Sequence, residues 1–158
     1  MKIYTGSGDN GKSGTISDED VSKDADIFHV LGTIDELSAN IGVAKCEADK
    51  EIFEVLEKIQ TQLISVAAYI AGGNKVDFVS LTKEYEKAID DFSKKVSLPD
   101  KIILSGNTLI GVRVDVARTV ARRLERCVVA SGLIDESLMY FKRLSDLLYV
   151  LARYADVQ

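Results

Sequence analysis

The stretch that decides the fold is TLIGVRVDVARTVARRLERCVVA, residues Thr108 to Ala130. Its apolar residues recur every three or four positions, the period of one face of an α-helix; they are Val116, Val120, Leu124, Cys127 and Val128. Arg118, Arg122 and Arg126 are spaced four apart and therefore stack along one face of the same helix. The stretch predicts a long helix that carries a cationic stripe beside its apolar one.

Four further segments repeat their apolar residues at the same helical period, at about 24–46, 49–71, 81–96 and 136–154. Gly72-Gly73-Asn74 ends the second of them with residues typical of a helix C-terminus. The apolar run Ile102 to Leu104, which lies between Pro99 and a Ser-Gly-Asn turn, predicts a buried extended connector. Five helices with short connections and no strand pattern predict an all-α fold, an antiparallel up-and-down bundle of the ferritin-like kind.

Length and composition indicate one globular domain, residues 1–158, with a loop over 1–22 and the bundle over 23–156. The chain has 46% hydrophobic and 28% charged residues, which is ordinary for a globular protein. Its net charge of −5 argues against nucleic acid as a partner, because nonspecific binding to phosphate backbones needs a basic surface. An anion site on this chain must be locally basic.

Cysteine and histidine usage argues against a metal cluster and for a reducing compartment. Cys46 and Cys127 are far apart and have no C-x-x-C spacing, so we expect both to be small buried residues. His29 is the single histidine, which excludes a site with several histidine ligands. The N-terminus has no apolar signal segment, and the apolar run 66–71 is too short to cross a bilayer. We therefore expect a cytoplasmic protein without membrane contact.

The N-terminal stretch Tyr4 to Thr15 contains four glycines, Lys12 and four Ser or Thr residues. Glycines let backbone N–H groups converge on an anion, and Lys12 adds a cation, so the stretch predicts a phosphate-binding loop. A flexible N-terminal tail is the alternative. Gly6 to Ser13 also matches the G-x-x-x-x-G-K-[ST] pattern, but no buried strand precedes it and no apolar helix follows it. This context excludes a P-loop NTPase.

The arginine stripe and one acidic residue are further candidates for chemistry. Arginines four apart repel one another when no anion is present, so the stripe favours an anion site, with a solvated helix face as the alternative. Asp35 falls beside Leu31 and Ser38, at the edge of the apolar stripe of the first helix. We expect this carboxylate to be half-buried and to need a cationic partner; an ordinary exposed aspartate is the alternative.

Several segments resemble the PduO-type corrinoid adenosyltransferases, in the order in which that family has them. They are Tyr4-Thr5-x-x-Gly8-Asp9-x-Gly11, Val21-Ser22-Lys23-Asp24, Gly32-Thr33-x-Asp35-Glu36-Leu37-Ser38-x-x-Ile41-Gly42, the arginine-rich run 116–126 and the run 143–154. The resemblance implies transfer of adenosyl from ATP to cob(I)alamin, with cobalt(I) attacking the 5′ carbon and triphosphate leaving. It also implies a homotrimer with ATP, accompanied by Mg²⁺, at the subunit interfaces.

The resemblance assigns roles to individual residues of this chain. The family's ATP contacts fall on Thr5, Gly8, Asp9, Gly11, Ser13, Lys23, Arg122, Glu125 and Arg126. Lys12 replaces one of two family lysines that are absent at Gly6 and Asn10, and Lys142 stands where the family has an asparagine that contacts nucleotide. Asp35 and Arg118 correspond to an intersubunit ion pair and are assigned with Arg122 to the catalytic group. A corrinoid reductase and an adenosylcobalamin-dependent enzyme are the implied protein partners.

The residues that correspond to the family's corrinoid site depart from the family pattern more than the residues that correspond to its ATP site. Ile102 aligns with a phenylalanine that fills the space under the corrin, so it forms a smaller plug in the corrinoid pocket. Asp115 stands where the family commonly has histidine. The alternative function is therefore an ATP-binding trimeric paralogue with a regulatory or binding role. A structural bundle with a disordered tail is the third possibility, and it predicts no stabilisation by ATP.

Overall fold

A computed structural model of the protein describes residues 3–4, 6, 8–133 and 137–158. In this part of the chain it has five α-helices, as expected. They are α1 (Asp26–Lys45), α2 (Lys50–Ile70), α3 (Phe78–Ser93), α4 (Leu109–Ser131) and α5 (Leu138–Ala155). The helix predicted from residue 136 begins at Leu138 instead, and residue 136 itself is outside the described residues.

Helix α4 is at the centre of the packing, between α1 and α5, while α5 also packs on α3 and α1 on α2. Leucine and isoleucine side chains from four helices fill the core, and each stabilises the fold by about 1.5–3 kcal/mol when fully buried. The residues that are fully buried include Leu37, Ile41, Leu56, Ile59, Leu63, Leu124, Leu144 and Leu148. Tyr85 and Tyr140 stack within this core, with 3.1 Å between their hydroxyl oxygens.

Side-chain caps fix the starts of three helices. Asp49, Asp77 and Thr108 each accept a hydrogen bond from a backbone N–H in the first turn of α2, α3 and α4 respectively. The prediction that α3 begins at Leu81 was wrong by three residues, because the Asp77 carboxylate accepts from the N–H of Ser80 and so starts the helix earlier.

A two-stranded hairpin precedes α1, although no strands were predicted. Strand β1 (Lys12–Ser13) pairs antiparallel with β2 (Val21–Ser22). Strands of two residues leave no period-2 pattern in a sequence, which is why the hairpin escaped prediction. The Ser22 hydroxyl donates a hydrogen bond to Asp24, and α1 begins at Asp26, two residues later than the predicted start at about residue 24.

Three predictions of burial were wrong. Val116 is 46% exposed, because the buried face of α4 runs through Ala117, Ala121 and Leu124, about 100° of rotation away from its neighbour Val116. Cys46 is exposed, since it follows the last buried residue of α1 at the helix end, and Cys127 is half-buried. Both thiols are free.

Arg143 and Arg153 of α5 pair with carboxylates on other helices. Arg143 donates to Glu86 of α3 at 2.9 Å, and Arg153 donates to Asp115 of α4 at 2.6 Å. Within the described ranges, no helix combines the length and the apolar character that a bilayer span requires.

Candidate functional site

The glycine-rich loop folds back on itself and docks on the C-terminal end of α2. The N–H groups of Ile16 and Ser17 both donate to the carbonyl oxygen of Ala71, at 2.9 and 3.1 Å. The N–H of Thr15 donates to the carbonyl oxygen of Asp18 at 2.8 Å and so closes the turn between the strands. The loop is therefore fixed by backbone hydrogen bonds both to itself and to the bundle.

Gly72 makes this close approach possible. Its φ of +98° is in the region that glycine adopts without steric cost, and a Cβ atom there would lie 2.5 Å from the Cβ of Ser17. The two glycines predicted only to end α2 thus also form the surface on which the loop rests. The flexible-tail alternative is wrong for the described residues from Gly8 onward.

The loop surrounds an open cavity of about 640 Å³. Eight residues of the predicted phosphate loop line it, and four of them are predicted site residues, namely Gly8, Asp9, Lys12 and Ser13. Asp9 is accompanied there by two further carboxylates, those of Glu19 and Asp20. The lining therefore combines a cation, hydroxyls and carboxylates, a donor set that suits an anion bound together with a hard metal ion.

Lys23 belongs to the same loop cluster. A Cβ atom on Gly8 would lie 3.2 Å from the Lys23 ammonium nitrogen and 2.8 Å from the carbonyl oxygen of Lys12, so only glycine fits at that position. The N–H of Lys23 donates to the carbonyl oxygen of Gly11 at 2.9 Å, which ties the end of β2 to the loop. Thr5, also predicted to contact ATP, lies outside the described residues.

The second cluster lies on the C-terminal half of α4. Arg122, Glu125 and Arg126 line a shallow cavity of about 290 Å³ together with two small apolar residues. Arg126 donates to the carbonyl oxygen of Arg122 at 2.9 Å. Neither arginine forms an ion pair with a carboxylate anywhere in the described ranges. The neighbouring Arg123, by contrast, pairs with Glu36 of α1.

The two clusters are separate within one chain. The cavity of the loop and the cavity of α4 share no lining residue. Lys142 is exposed on α5 and lines neither of these two cavities. The residues predicted to contact one nucleotide therefore line two different cavities in a single copy of the chain.

Asp35 is exposed, so the prediction of a half-buried carboxylate was wrong. The buried line of α1 runs through Ile34 and Leu37, and Asp35 is rotated about 100° from Ile34. It borders a cavity of about 170 Å³ between α1 and α2. Asp35 has no ion-pair or hydrogen-bond partner among the residues that the structure describes.

Arg118, the predicted partner of Asp35, contacts a carboxylate of its own helix. Its Nε donates to Oδ1 of Asp115 at 2.7 Å. Asp115 also accepts from Arg153 at 2.6 Å and from the hydroxyl of Ser105 at 2.7 Å. Burial by itself raises the pKa of Asp115, but the three hydrogen bonds outweigh burial and hold that pKa below its usual value.

Sequence reasoning missed this buried cluster. Asp115 was noted only as a replacement for histidine, and Ser105 only as part of a turn. The available signal was the position of Asp115 one turn before Arg118, on the side of α4 that faces α5. An acidic residue so close to a core face requires a buried cation, and Arg153 provides it.

The connector that contains Ile102 is exposed, so the prediction that it is buried was wrong. Ile102 is 99% and Leu104 88% exposed, and only Ile103 between them is half-buried. The segment forms neither helix nor strand. The helices of the same chain leave the side chains of Ile102 and Leu104 exposed. Two large apolar side chains thus face outward beside the Asp115 cluster.

No group of three or more His, Cys, Asp or Glu side chains is arranged to hold a metal ion by itself among the residues described. Asp9, Glu19 and Asp20 line the loop cavity, and carboxylate oxygens are ligands that Mg²⁺ takes together with phosphate oxygens.

These features belong to a defined class of protein. The family model of cobalamin adenosyltransferase matches residues 3–155, which is nearly the whole chain. The chain therefore belongs to the cobalamin adenosyltransferase family, as the sequence motifs implied. The match spans both clusters and the connector between α3 and α4.

Several relatives are similar to the chain over almost its whole length. Corrinoid adenosyltransferase MMAB of Bos taurus is 35% identical, over 99% of this chain and 72% of the relative. The corrinoid adenosyltransferase of Citrobacter freundii is 31% identical, over 98% of this chain and 95% of the relative. Corrinoid adenosyltransferase PduO of Salmonella typhimurium is 36% identical, and the chain spans half of that protein's length.

Solved structures show the same fold. A variant PduO-type ATP:corrinoid adenosyltransferase from Lactobacillus reuteri, complexed with cobalamin and ATP, superposes with a TM-score of 0.92 at 29% identity. That superposition covers 99% of this chain and 91% of the other. A second variant from the same organism, complexed with ATP, gives a TM-score of 0.90 at 30% identity, covering 98% of this chain and 94% of the other.

Proposed function

We propose that this protein is an ATP:corrinoid adenosyltransferase, which transfers the 5′-deoxyadenosyl group of ATP to a reduced corrinoid and releases triphosphate. The observation that carries the proposal is a pair of clusters in a chain of this family. One is the loop cavity that Lys12 and three carboxylates line, and the other is the pair Arg122 and Arg126 on α4, which has no ion pair among the described residues. ATP brings about four negative charges and binds with a hard metal ion, so a site that offers both cations and carboxylates suits it.

The chemistry is a nucleophilic substitution at carbon. Cobalt(I) of the corrinoid attacks C5′ of ATP, a cobalt–carbon bond forms, and the C5′–O bond breaks with its electron pair leaving on triphosphate. The reaction requires no general base. The tasks left to the protein are to align C5′ with the cobalt and to stabilise the charge that grows on the leaving triphosphate. We assign the second task to Lys23, Arg122 and Arg126.

Magnesium enters this proposal as part of the nucleotide substrate. Mg²⁺ prefers oxygen ligands and usually binds through one or two carboxylates together with phosphate oxygens. Asp9, Glu19 and Asp20 line the loop cavity and provide such carboxylates. We propose that the loop binds Mg-ATP, with Gly8 and Gly11 allowing its backbone to approach the phosphates.

We propose that the active form is a homotrimer in which each nucleotide site combines the loop of one copy with α4 of the next. The separation of the two clusters within one chain supports this arrangement, since the loop and the arginines of α4 line different cavities of a single copy. The exposed Asp35 and the free Nη groups of Arg118 support an ion pair between copies. The trimer and the antiparallel up-and-down course of the helices are extended to this chain from the family resemblance.

The connector around Ile102 is assigned to the corrinoid side of the site. Exposed isoleucine and leucine side chains suit an apolar face of a corrin ring, and their exposure in one copy supports a surface that a ligand covers. A cytoplasmic location, a reductase that supplies cobalt(I) and an enzyme that receives adenosylcobalamin complete the proposal.

An anaerobic assay tests the activity. Chemically reduced cob(I)alamin, Mg-ATP and the protein are mixed, and the corrinoid spectrum is followed together with triphosphate release. We expect adenosylcobalamin and triphosphate in equal amounts. ATP binding by calorimetry without product formation would contradict the transferase and favour the ATP-binding paralogue. Absence of both binding and product would favour a purely structural bundle.

Light scattering tests the assembly. We expect the wild-type protein to have the mass of three chains, and Asp35→Asn to shift it towards smaller species with a parallel loss of turnover. Asp26→Asn, on the first turn of the same helix, is the control for loss of one exposed negative charge. A trimer with full turnover in Asp35→Asn would contradict the proposed ion pair.

A further inference from the structure

Asp115 is a buried carboxylate that three separate segments contact. It is 3% exposed and accepts hydrogen bonds from Ser105 of the connector, from Arg118 one turn later on α4 and from Arg153 of α5. Arg153 is itself only 4% exposed, and its Nη2 also lies 3.1 Å from the carboxylate of Asp156. Two carboxylates thus neutralise two guanidinium groups at this point.

The two oxygens of Asp115 have different partners. Oδ1 accepts from Arg118. Oδ2 accepts from both Ser105 and Arg153. The carboxylate therefore joins the connector and α5 through one oxygen and orients an arginine through the other.

The hydrogen bond to Oδ1 of Asp115 uses one of the hydrogen-bond donors of Arg118 and leaves the others available. Arg118 uses Nε for Asp115, and its two Nη groups have no partner in the part of the chain that the structure describes. Two Nη groups form the fork that binds a second carboxylate through parallel hydrogen bonds. Asp115 thus holds Arg118 in an orientation that still permits an ion pair with Asp35 of a second copy.

The contact with Oδ2 determines how the connector is attached. Of residues 101–107, Ser105 is the one whose side chain hydrogen-bonds to the bundle. Its neighbour Leu104 is exposed, as is Ile102, while Ile103 is half-buried. Without the Ser105 hydroxyl, the apolar side chains of the connector would have one polar attachment fewer and a wider range of positions.

We propose that Asp115 is a positioning residue that sets the connector through Ser105 and the interface arginine through Arg118, and so couples the corrinoid side of the site to subunit assembly. This inference rests on the proposed function for the identity of the two surfaces. It explains why this chain has an acidic residue at position 115 together with a serine at 105: the two side chains form one hydrogen bond.

Ser105→Ala tests the connector half without removing the buried charge. We expect hydrogen exchange in residues 102–107 to become about tenfold faster, since a hydrogen bond to a charged group is lost. We expect KM for the corrinoid to rise about five- to tenfold, while KM for ATP and the mass of the assembly remain unchanged. Ser97→Ala, in the same connection but without a side-chain contact to the bundle, is the matched control.

Asp115→Asn tests the coupling. The amide keeps the shape of the carboxylate but lacks its charge, so we expect both faster exchange in the connector and weaker assembly. The assembly defect of Asp115→Asn combined with Asp35→Asn should be smaller than the sum of the two single effects, because both act on Arg118. Additive effects would overturn the link to Arg118.

The outcomes separate this inference from the proposed function. Wild-type exchange rates in Ser105→Ala would overturn the connector half, whatever the activity. Faster exchange together with an unchanged corrinoid KM would overturn the role in corrinoid positioning. A wild-type protein without turnover would contradict the proposed function alone, since exchange and assembly are measured without substrate. An Asp115→Asn protein that fails to fold leaves Ser105→Ala to decide.

Discussion

The two halves of α4 use their arginines in opposite ways. In the N-terminal half, the guanidinium of Arg118 bonds to buried Asp115, which is also neutralised by Arg153 from α5. In the C-terminal half, Arg122 and Arg126 border an open cavity and have no carboxylate partner in the described chain. The same residue type at the same helical spacing thus pairs with a carboxylate of the fold in one half and borders an open cavity in the other.

The difference shows how to separate structural charge from functional charge. A buried guanidinium must be paired within the fold, because an unpaired buried ion costs several kcal/mol. An exposed guanidinium is solvated and needs no partner for folding. Burial therefore identifies Arg153 as a structural charge, whereas the role of the exposed Arg122 and Arg126 has to be tested by their effect on turnover.

The largest effect is expected from removing the buried carboxylate. Asp115→Ala leaves Arg153 buried without its strongest partner and should lower the free energy of unfolding by about 3–5 kcal/mol. Urea denaturation measures it. Asp146→Ala, which removes a half-exposed partner of Arg143 on α5, is the control and should cost about 0–1 kcal/mol. Equal losses in the two variants would remove the distinction between the halves of α4.

Removing an unpaired arginine should act on turnover instead of stability. Arg122→Ala should lower the rate about 10- to 100-fold, since a charged hydrogen bond to the leaving triphosphate contributes about 1.5–3 kcal/mol. Its melting temperature should match the wild type. Arg113→Ala, which breaks an ion pair of the same helix with Glu47, should keep its rate within about twofold. Near-normal turnover in Arg122→Ala would mean that the stripe is a solvated face.

A smaller effect is expected at the contact between the loop and α2. Gly72→Ala should raise KM for ATP about threefold or more, because its Cβ would overlap Ser17 and displace the loop. Gly132→Ala is the matched control, since Gly132 also ends a helix at positive φ but would meet no atom within 4 Å. Both variants should lose about 1–2 kcal/mol of stability from backbone strain.

A second substitution tests whether overlap with Ser17 of the loop causes the effect of Gly72→Ala on KM for ATP. Adding Ser17→Gly to Gly72→Ala removes the overlapping Cβ and should restore most of the ATP affinity. An equal rise of KM in Gly72→Ala and Gly132→Ala would show that strain alone is responsible, and not displacement of the loop.

The smallest of these effects is expected when the pH is lowered, because the contribution of Asp115 to the free energy of unfolding then falls. The pKa of Asp115 in the folded chain lies below its ordinary value of 3.8, so folding favours the ionised carboxylate. Its contribution to stability is full above the ordinary value and is lost as the pH falls below 3.8. The stability difference between wild type and Asp115→Asn should therefore shrink as the pH falls below about 3.8, measured by urea denaturation. A difference that grows in acid would contradict the lowered pKa.

Much of the site was predictable because its signals are local. Lys12 and the glycines of the loop are consecutive in the chain, and the spacing of Arg122 and Arg126 puts them on one helix face before any tertiary contact is known. The family motifs then named the same residues. The burial predicted for Asp35 and Ile102 was wrong, and the Asp115 cluster was missed. Burial and pairing at these positions depend on contacts between segments that are far apart in the sequence.

Local signals in the sequence were sufficient to predict the five helices, the positions at which most of them begin or end within a few residues, and the family. Helical periodicity, caps and glycines act over three or four residues, so they can be read without a fold. Only the tertiary structure decided that Ser105, Arg118 and Arg153 meet at Asp115, and that the loop rests on Gly72. These contacts join residues up to 55 positions apart, and the packing of the helices, not the local sequence, brings them within bonding distance.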